Sequence, residues 1–288
     1  MKQFTAQPLD LGKYRLGEGP YFDPDRQRLS WVDILAGELH CCASDGTQSS
    51  FCLGQPLGAA VPLADSNGFV LAAQDGLYAL EEHSARRILD LTPVYQPFQR
   101  SNDAKADPAG RLWFGASLLD GAPHDPYGDL YCFDAGVLHR RQPDTRIANG
   151  MAWSLERASF YFSDSGFHAV FVYDYDAATG AISSRRVLFQ VEQGVPDGLC
   201  IDASGDLWVA IWGGRRVEYR SGRDGSLLGT VSVAAEHVTS CCFGGGDLRT
   251  LYITTAGEDL SGPWDGCLFS CKVDAQGLRP DRARLGSL

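Results

Sequence analysis

The chain has 288 residues, 44% hydrophobic and 21% charged, with a formal net charge of −11: the balance of a soluble globular protein long enough to bury a large core. The surplus charge is acidic and no basic run occurs, which argues against nucleic acid as a partner; no apolar run approaches the roughly 18 residues that a membrane span needs. The opening MKQFTAQPLDLGKYRLGEG lacks the apolar core of a secretory signal, so the expected location is cytoplasmic.

Six segments share one form: a short apolar stretch, a turn bearing Asp, Gly, Ser or Asn, and a strand of β-branched or aromatic residues. In chain order they are EGPYFDPDRQRLSWVD from Glu18, LGAAVPLADSNGFVLAA from Leu57, NDAKADPAGRLWFGAS from Asn102, NGMAWSLERASFYFSD from Asn149, DGLCIDASGDLWVAI from Asp197 and TSCCFGGGDLRTLYITT from Thr239. Third strands follow several of them, as in GDLYCFDAG (128–136) and HAVFVYDYDAATGAI (168–182). The heads lie 39 to 48 residues apart, a period that with about four strands per repeat predicts a β-propeller. No long 3.6-residue apolar stripe survives the Gly and Pro spacing. The reading is therefore all-β, a six-bladed β-propeller in a single domain over residues 1–288. The N-terminal FTAQPLDLG is expected to complete the last blade, since ring closure removes exposed edges.

In a propeller the first strand of each blade lines the central channel, so residues at one phase of the repeat form a ring at one depth. Four heads carry Glu18, Asn102–Asp103, Asn149 and Asp197, residue types that strand interiors avoid. Buried carboxylates and amide oxygens converging there make a hard-cation site in the channel; oxygen-only ligation suits Ca²⁺, Mg²⁺ or Mn²⁺. NG at 149–150 and DG at 197–198 are also ordinary turn dipeptides, and the alternative is that they merely cap strands; their recurrence in phase with Glu18 favours the ring. Nine cysteines without a CxxC read as buried, reduced thiols. Six histidines without HxxxH or HxH spacing argue against a His-built zinc centre.

The segments LGEGP (16–20), RSNDAKADPAGRLWFG (100–115), ANGMAWS (148–154), VPDGLCIDASGDLWVA (195–210) and TSCCFGG (239–245) resemble the gluconolactonase and regucalcin family of sugar lactonases, in order over roughly residues 14–257. The resemblance implies a six-bladed propeller that hydrolyses sugar lactones with one divalent ion, with Zn²⁺ and Fe(II) joining Ca²⁺, Mg²⁺ and Mn²⁺ as candidates. It implies Glu18, Asn149 and Asp197 as metal ligands, the three that the ring reading also picks. It assigns substrate hydroxyls to Arg100 and Asn102, and an acidic contact to Asp120 in GASLLDG, a shorter side chain than glutamate. Tyr21 and Trp212 are candidates for the pocket wall.

On this reading Asp197 is the general base for the attacking water, with activation by the cation itself as the alternative source of the nucleophile. No GxSxG elbow supports a serine route, and Cys200 reads as core. The partner is a small-molecule sugar lactone, with no nucleic acid, membrane or protein partner evident. Two further readings stay open: a calcium-dependent aryl-ester or phosphotriester hydrolase on the same ring, and a non-catalytic calcium-binding regulatory protein. A protein-interaction propeller fits less well, because the Trp-Asp repeat signature is missing and acidic heads serve no purpose in it.

Overall fold

Six separate sheets carry the chain, and the computed structural model describes residues 1–118 and 128–286 of it. Blade 1 runs from Gly17–Asp23 through Arg28–Asp33 and Glu38–Ala43 to Gln48–Cys52; blades 2, 3 and 4 start at Leu57–Pro62, Gln99–Ala106 and Ala148–Trp153 and have four strands each. Blade 5 starts at Val195–Ile201 and blade 6 at His237–Gly244. Inner strands touch in cyclic order, the sixth returning to the first, so the sheets close into a six-bladed β-propeller. Among the described residues the one helical element is a three-residue 3₁₀ turn, Ser165–Phe167, and no helix is long and apolar enough to cross a membrane.

The expected closure is present and has an addition. Gln7–Pro8 pairs with Ser270 and Phe269 as the outer strand of blade 6, while Lys2–Thr5 pairs in parallel with Gly229–Ser232 and extends blade 5 to five strands. One short segment thereby spans two blades. Period-2 alternation gives each sheet two apolar faces, and six apolar clusters fill the six blade interfaces. In blade 4, Trp153 and Phe160 pack toward blade 3, and their neighbours Ala152 and Tyr161 toward blade 5. All nine cysteines are free, five of them buried; Cys52 is exposed, a departure from the expectation of wholly buried thiols.

The strongest sequence repeat has a structural reason. In DPAGRLW and DASGDLW the aspartate ends the inner strand and caps the hairpin. Asp107 Oδ1 accepts from the N–H groups of Ala109 and Arg111 at 2.9 Å each, and Oδ2 accepts from Trp113 Nε1 at 3.0 Å. Asp202 does the same with Ser204, Asp206 and Trp208, at 2.8, 3.1 and 3.0 Å. Asp202→Ala strands three donors, of which the Trp208 indole is fully buried, at about 1–3 kcal/mol for a buried one. It should lower the melting temperature by roughly 2–5 °C. Thermal melts of the variant beside wild type check this.

These hairpins line one end of the channel, and residues 276–284 run across that end. Ala203 N–H donates to Gln276 O at 2.8 Å and Gly277 N–H to Leu248 O at 2.8 Å. Arg279 and Arg282 pair with Asp25 and Asp23, Ala283 exchanges backbone bonds with Pro62 and Ala64, and Arg284 N–H donates to Gly110 O at 2.7 Å. The strap thus touches blades 5, 6, 1, 2 and 3. Beneath it lies a cavity of about 440 Å³ lined by inner-strand residues such as Phe22, Val61, Lys105 and Cys241 and by Leu278–Asp281 of the strap.

Candidate active site

The ring of heads lies at the opposite end of the inner strands, and every one of those strands is irregular there. Pairing with the second strand shifts register between Glu18 and Tyr21, Leu57 and Ala59, Ser101 and Ala104, Ala148 and Met151, Pro196 and Leu199, and Val238 and Ser240. A bulge inserts an unpaired residue and re-aims its side chain. At this level, the same in all six blades, the unpaired positions include Asn102–Asp103, Asn149 and Asp197, and Glu18, paired with Val32, is the last residue before the shift in its own strand.

NG and DG are therefore not turns. Both lie inside inner strands, Ala148–Trp153 and Val195–Ile201, and their glycines answer to crowding between blades. A Cβ on Gly150 would sit 2.5 Å from Leu199 N, and one on Gly198 would sit 2.0 Å from Ser240 Oγ. Neither distance is possible for a side chain, so only glycine lets adjacent inner strands approach this closely.

Glu18, Asp103 and Asp197 are all buried and lie close enough to perturb one another. Burial, and then the neighbouring Asp103 carboxylate, push Glu18 up to about 8, although its Oε2 accepts the Gly19 N–H at 2.8 Å. Asp197 is pushed well above the usual carboxylate range by burial, then by Glu18 and Asp103; burial raises Asp103 too. Arg100 and Lys105 oppose these shifts. Asp197 Oδ1 is buried and accepts no hydrogen bond. Such an oxygen, beside two further buried carboxyls, is costly unless a cation or a proton meets it. Oxygen donors alone are the donor set of a hard divalent ion, so these residues fit one. Among the described residues no three His, Cys, Asp or Glu side chains form a ready metal cluster by themselves; the set in question has two carboxylates and an amide.

Asn149 and Asn102 are buried and bonded to each other. Asn102 Nδ2 donates to Asn149 Oδ1 at 2.9 Å and to Ala148 O at 3.0 Å, and Asn102 Oδ1 accepts from Arg100 Nη1 at 2.7 Å. Arg100 is buried, not a surface cation, and also donates to Ser101 O at 3.0 Å. Both amide hydrogens of Asn102 are taken, so what it can offer a substrate hydroxyl is the second lone pair of Oδ1. Asp120 lies outside the described residues. Tyr21 belongs to the strap end: its hydroxyl donates to Pro280 O at 3.3 Å. Trp212 stacks on His237 with ring centroids 4.1 Å apart. Sequence reasoning placed Asp103 in the ring without giving it a role, and it missed Ser165, whose hydroxyl accepts from Asn149 Nδ2 at 2.8 Å. No motif marks that serine; only its position just after an aromatic strand could have drawn notice.

A closed propeller with buried carboxyl and amide groups at one level of its channel defines a class of channel-sited propeller proteins. Within that class the chain belongs to the SMP-30/gluconolactonase/LRE-like family, whose profile matches residues 16–257. It is 37% identical to a pentonolactonase of Haloferax volcanii over 93% of this chain and 94% of that protein. It is 36% identical to regucalcin of Danio rerio over 97% of each. The solved structure of a calcium-binding protein, regucalcin, from Agrobacterium tumefaciens superposes with a TM-score of 0.91 at 27% identity, covering 98% of both chains.

Proposed function

We propose that this protein is a carboxylic-ester hydrolase that opens a sugar (aldono-) lactone to the aldonic acid, using one divalent cation held by Glu18, Asn149 and Asp197. The observation that carries this reading is the partnerless Asp197 Oδ1, buried beside Glu18 and Asp103 at the bulged level of the inner strands. Similarity to a pentonolactonase and to calcium-binding regucalcin supports it. When bound, the cation would supply Lewis-acid polarisation of the lactone carbonyl. Asp197 takes the proton from a water as that water's oxygen attacks the carbonyl carbon. The ring C–O bond then breaks, and the proton goes to the departing ring oxygen, leaving a hydroxy acid. Arg100 and Asn102 hold the substrate's oxygens in register. Lys105, a second cation near the carboxylates, donates to Leu199 O at 2.8 Å and offsets part of their charge.

The test is an initial-rate panel of pentono- and hexonolactones against aryl esters and phosphotriesters, with several divalent ions and with spontaneous opening subtracted. A site built to hydrogen-bond hydroxyls rejects analogues without them, so kcat/KM should favour an aldonolactone by on the order of 100-fold or more. Faster aryl-ester or phosphotriester turnover would overturn the substrate class. Metal binding with no turnover anywhere on the panel would instead identify a calcium-binding regulatory protein.

A further inference from the structure

We propose that Ser165 is a positioning residue that fixes the amide of Asn149 as a ligand and ties it to the strand carrying Asp197; the role rests on the metal reading above. Ser165 follows the second strand of blade 4, Ser159–Asp164, and opens the 3₁₀ turn. Its backbone is held, the N–H donating to Ile147 O at 3.1 Å, and the preceding Asp164 carboxylate accepts the N–H groups of Arg146 and Ile147 at 3.0 Å each. The side chain is buried. Oγ accepts from Asn149 Nδ2 at 2.8 Å and donates to Pro196 O, the residue before Asp197, at 2.7 Å.

These bonds complete a one-way chain across three blades. Arg100 donates to Asn102, Asn102 to Asn149, Asn149 to Ser165, and Ser165 to Pro196. A guanidinium can only donate and a backbone carbonyl can only accept, so the two ends dictate the direction of every bond between them. Asn149 therefore has one orientation. Turning its amide over would set its NH₂ against the NH₂ of Asn102 and present its oxygen to Ser165. The serine hydroxyl would then have to abandon the Pro196 carbonyl to meet it. In the orientation present, Asn149 Oδ1 spends one lone pair on Asn102 and keeps the other for a cation. Ser165 holds that choice in place and locks blade 4 to the backbone beside Asp197. Partners that orient ligands in this way are worth about 10–100-fold in metal affinity.

The experiment is calorimetric titration of chelator-stripped full-length protein with Ca²⁺ and with Mn²⁺. Wild type is compared with Ser165→Ala, Asn149→Ala and the double variant, with melts of each metal-free protein alongside. Ser165→Ala should bind about 10–100-fold more weakly. In the Asn149→Ala background the same change should matter less than about 3-fold, because a residue that acts through another has nothing left to act on. A Ser165→Ala affinity within about 3-fold of wild type overturns the role, whatever happens to the melting temperature, as do losses that simply add in the double variant. Wild type that binds neither ion, or Asn149→Ala that binds as well as wild type, removes the metal reading itself. Binding weakened by Asn149→Ala but not by Ser165→Ala removes only the part assigned to the serine.

Discussion

Asp197→Asn is expected to lower kcat/KM for lactone opening by roughly 10²–10⁴-fold, the range of a lost general base, without lowering the melting temperature of the metal-free protein. The two halves of that result come from one feature. Asp197 sits at a bulge in an inner strand with Oδ1 unpartnered, and burial, Glu18 and Asp103 all disfavour its charge. Asparagine keeps the shape and one oxygen but removes the charge and the proton-accepting capacity. Relief of burial and repulsion should leave the metal-free variant as heat-stable as wild type or a few degrees more so. A structural carboxylate behaves in the opposite way: Asp202, which holds two backbone donors and an indole, would cost stability and spare turnover. Steady-state kinetics with metal and melts without it decide the matter. Near-native turnover removes Asp197 from the mechanism, and a lowered melting temperature would mark it as structural.

The ring was legible because it depends on repeat phase alone. Residues 39 to 48 apart in sequence fall at one level once six copies of a hairpin unit are arranged about an axis, so Glu18, Asn149 and Asp197 could be grouped before any coordinates. What could not be read was how strand-interior side chains come to be free of their ladder. That freedom comes from bulges, and a bulge is a property of the register between two strands. Nothing in ANGMAW alone distinguishes a bulge from a turn, and Gly150 is explained only by Asp197 and Leu199 of the next blade.

Asp103 went without a role for a related reason. In a regular strand, neighbours point to opposite faces, so Asn102 and Asp103 should not both serve one site. The register shift between Ser101 and Ala104 lifts that restriction. The strap was illegible too: Arg279 and Arg282 look like solvated charges in sequence, and their carboxylate partners, Asp23 and Asp25, lie some 250 residues earlier.

Chelation is expected to abolish lactone turnover, with added divalent ion restoring it, and the affinity for that ion should climb with pH up to about 8. In the metal-free fold Glu18 is raised from its ordinary 4.5 to about 8, by burial first and by Asp103 second, and Asp197 is raised with it. A carboxyl whose folded value exceeds its unfolded one binds its proton more tightly in the native state. Its contribution to stability is therefore complete below about 4.5 and is lost as pH rises toward 8. The metal-free protein should accordingly melt lower near pH 8 than near pH 6. A cation competes with the same protons. Each proton displaced on binding adds about tenfold in affinity per pH unit, and the gain levels off once Glu18 is ionised. Stabilisation by metal should thus be larger near pH 8 than near pH 6, the reverse of the metal-free trend. Melts with and without Ca²⁺ or Mn²⁺ across this range, and rates on the same samples, check both parts. Full turnover in chelator-treated protein would refute a metal role. A pH-independent metal affinity would show that the ion binds away from Glu18 and Asp197.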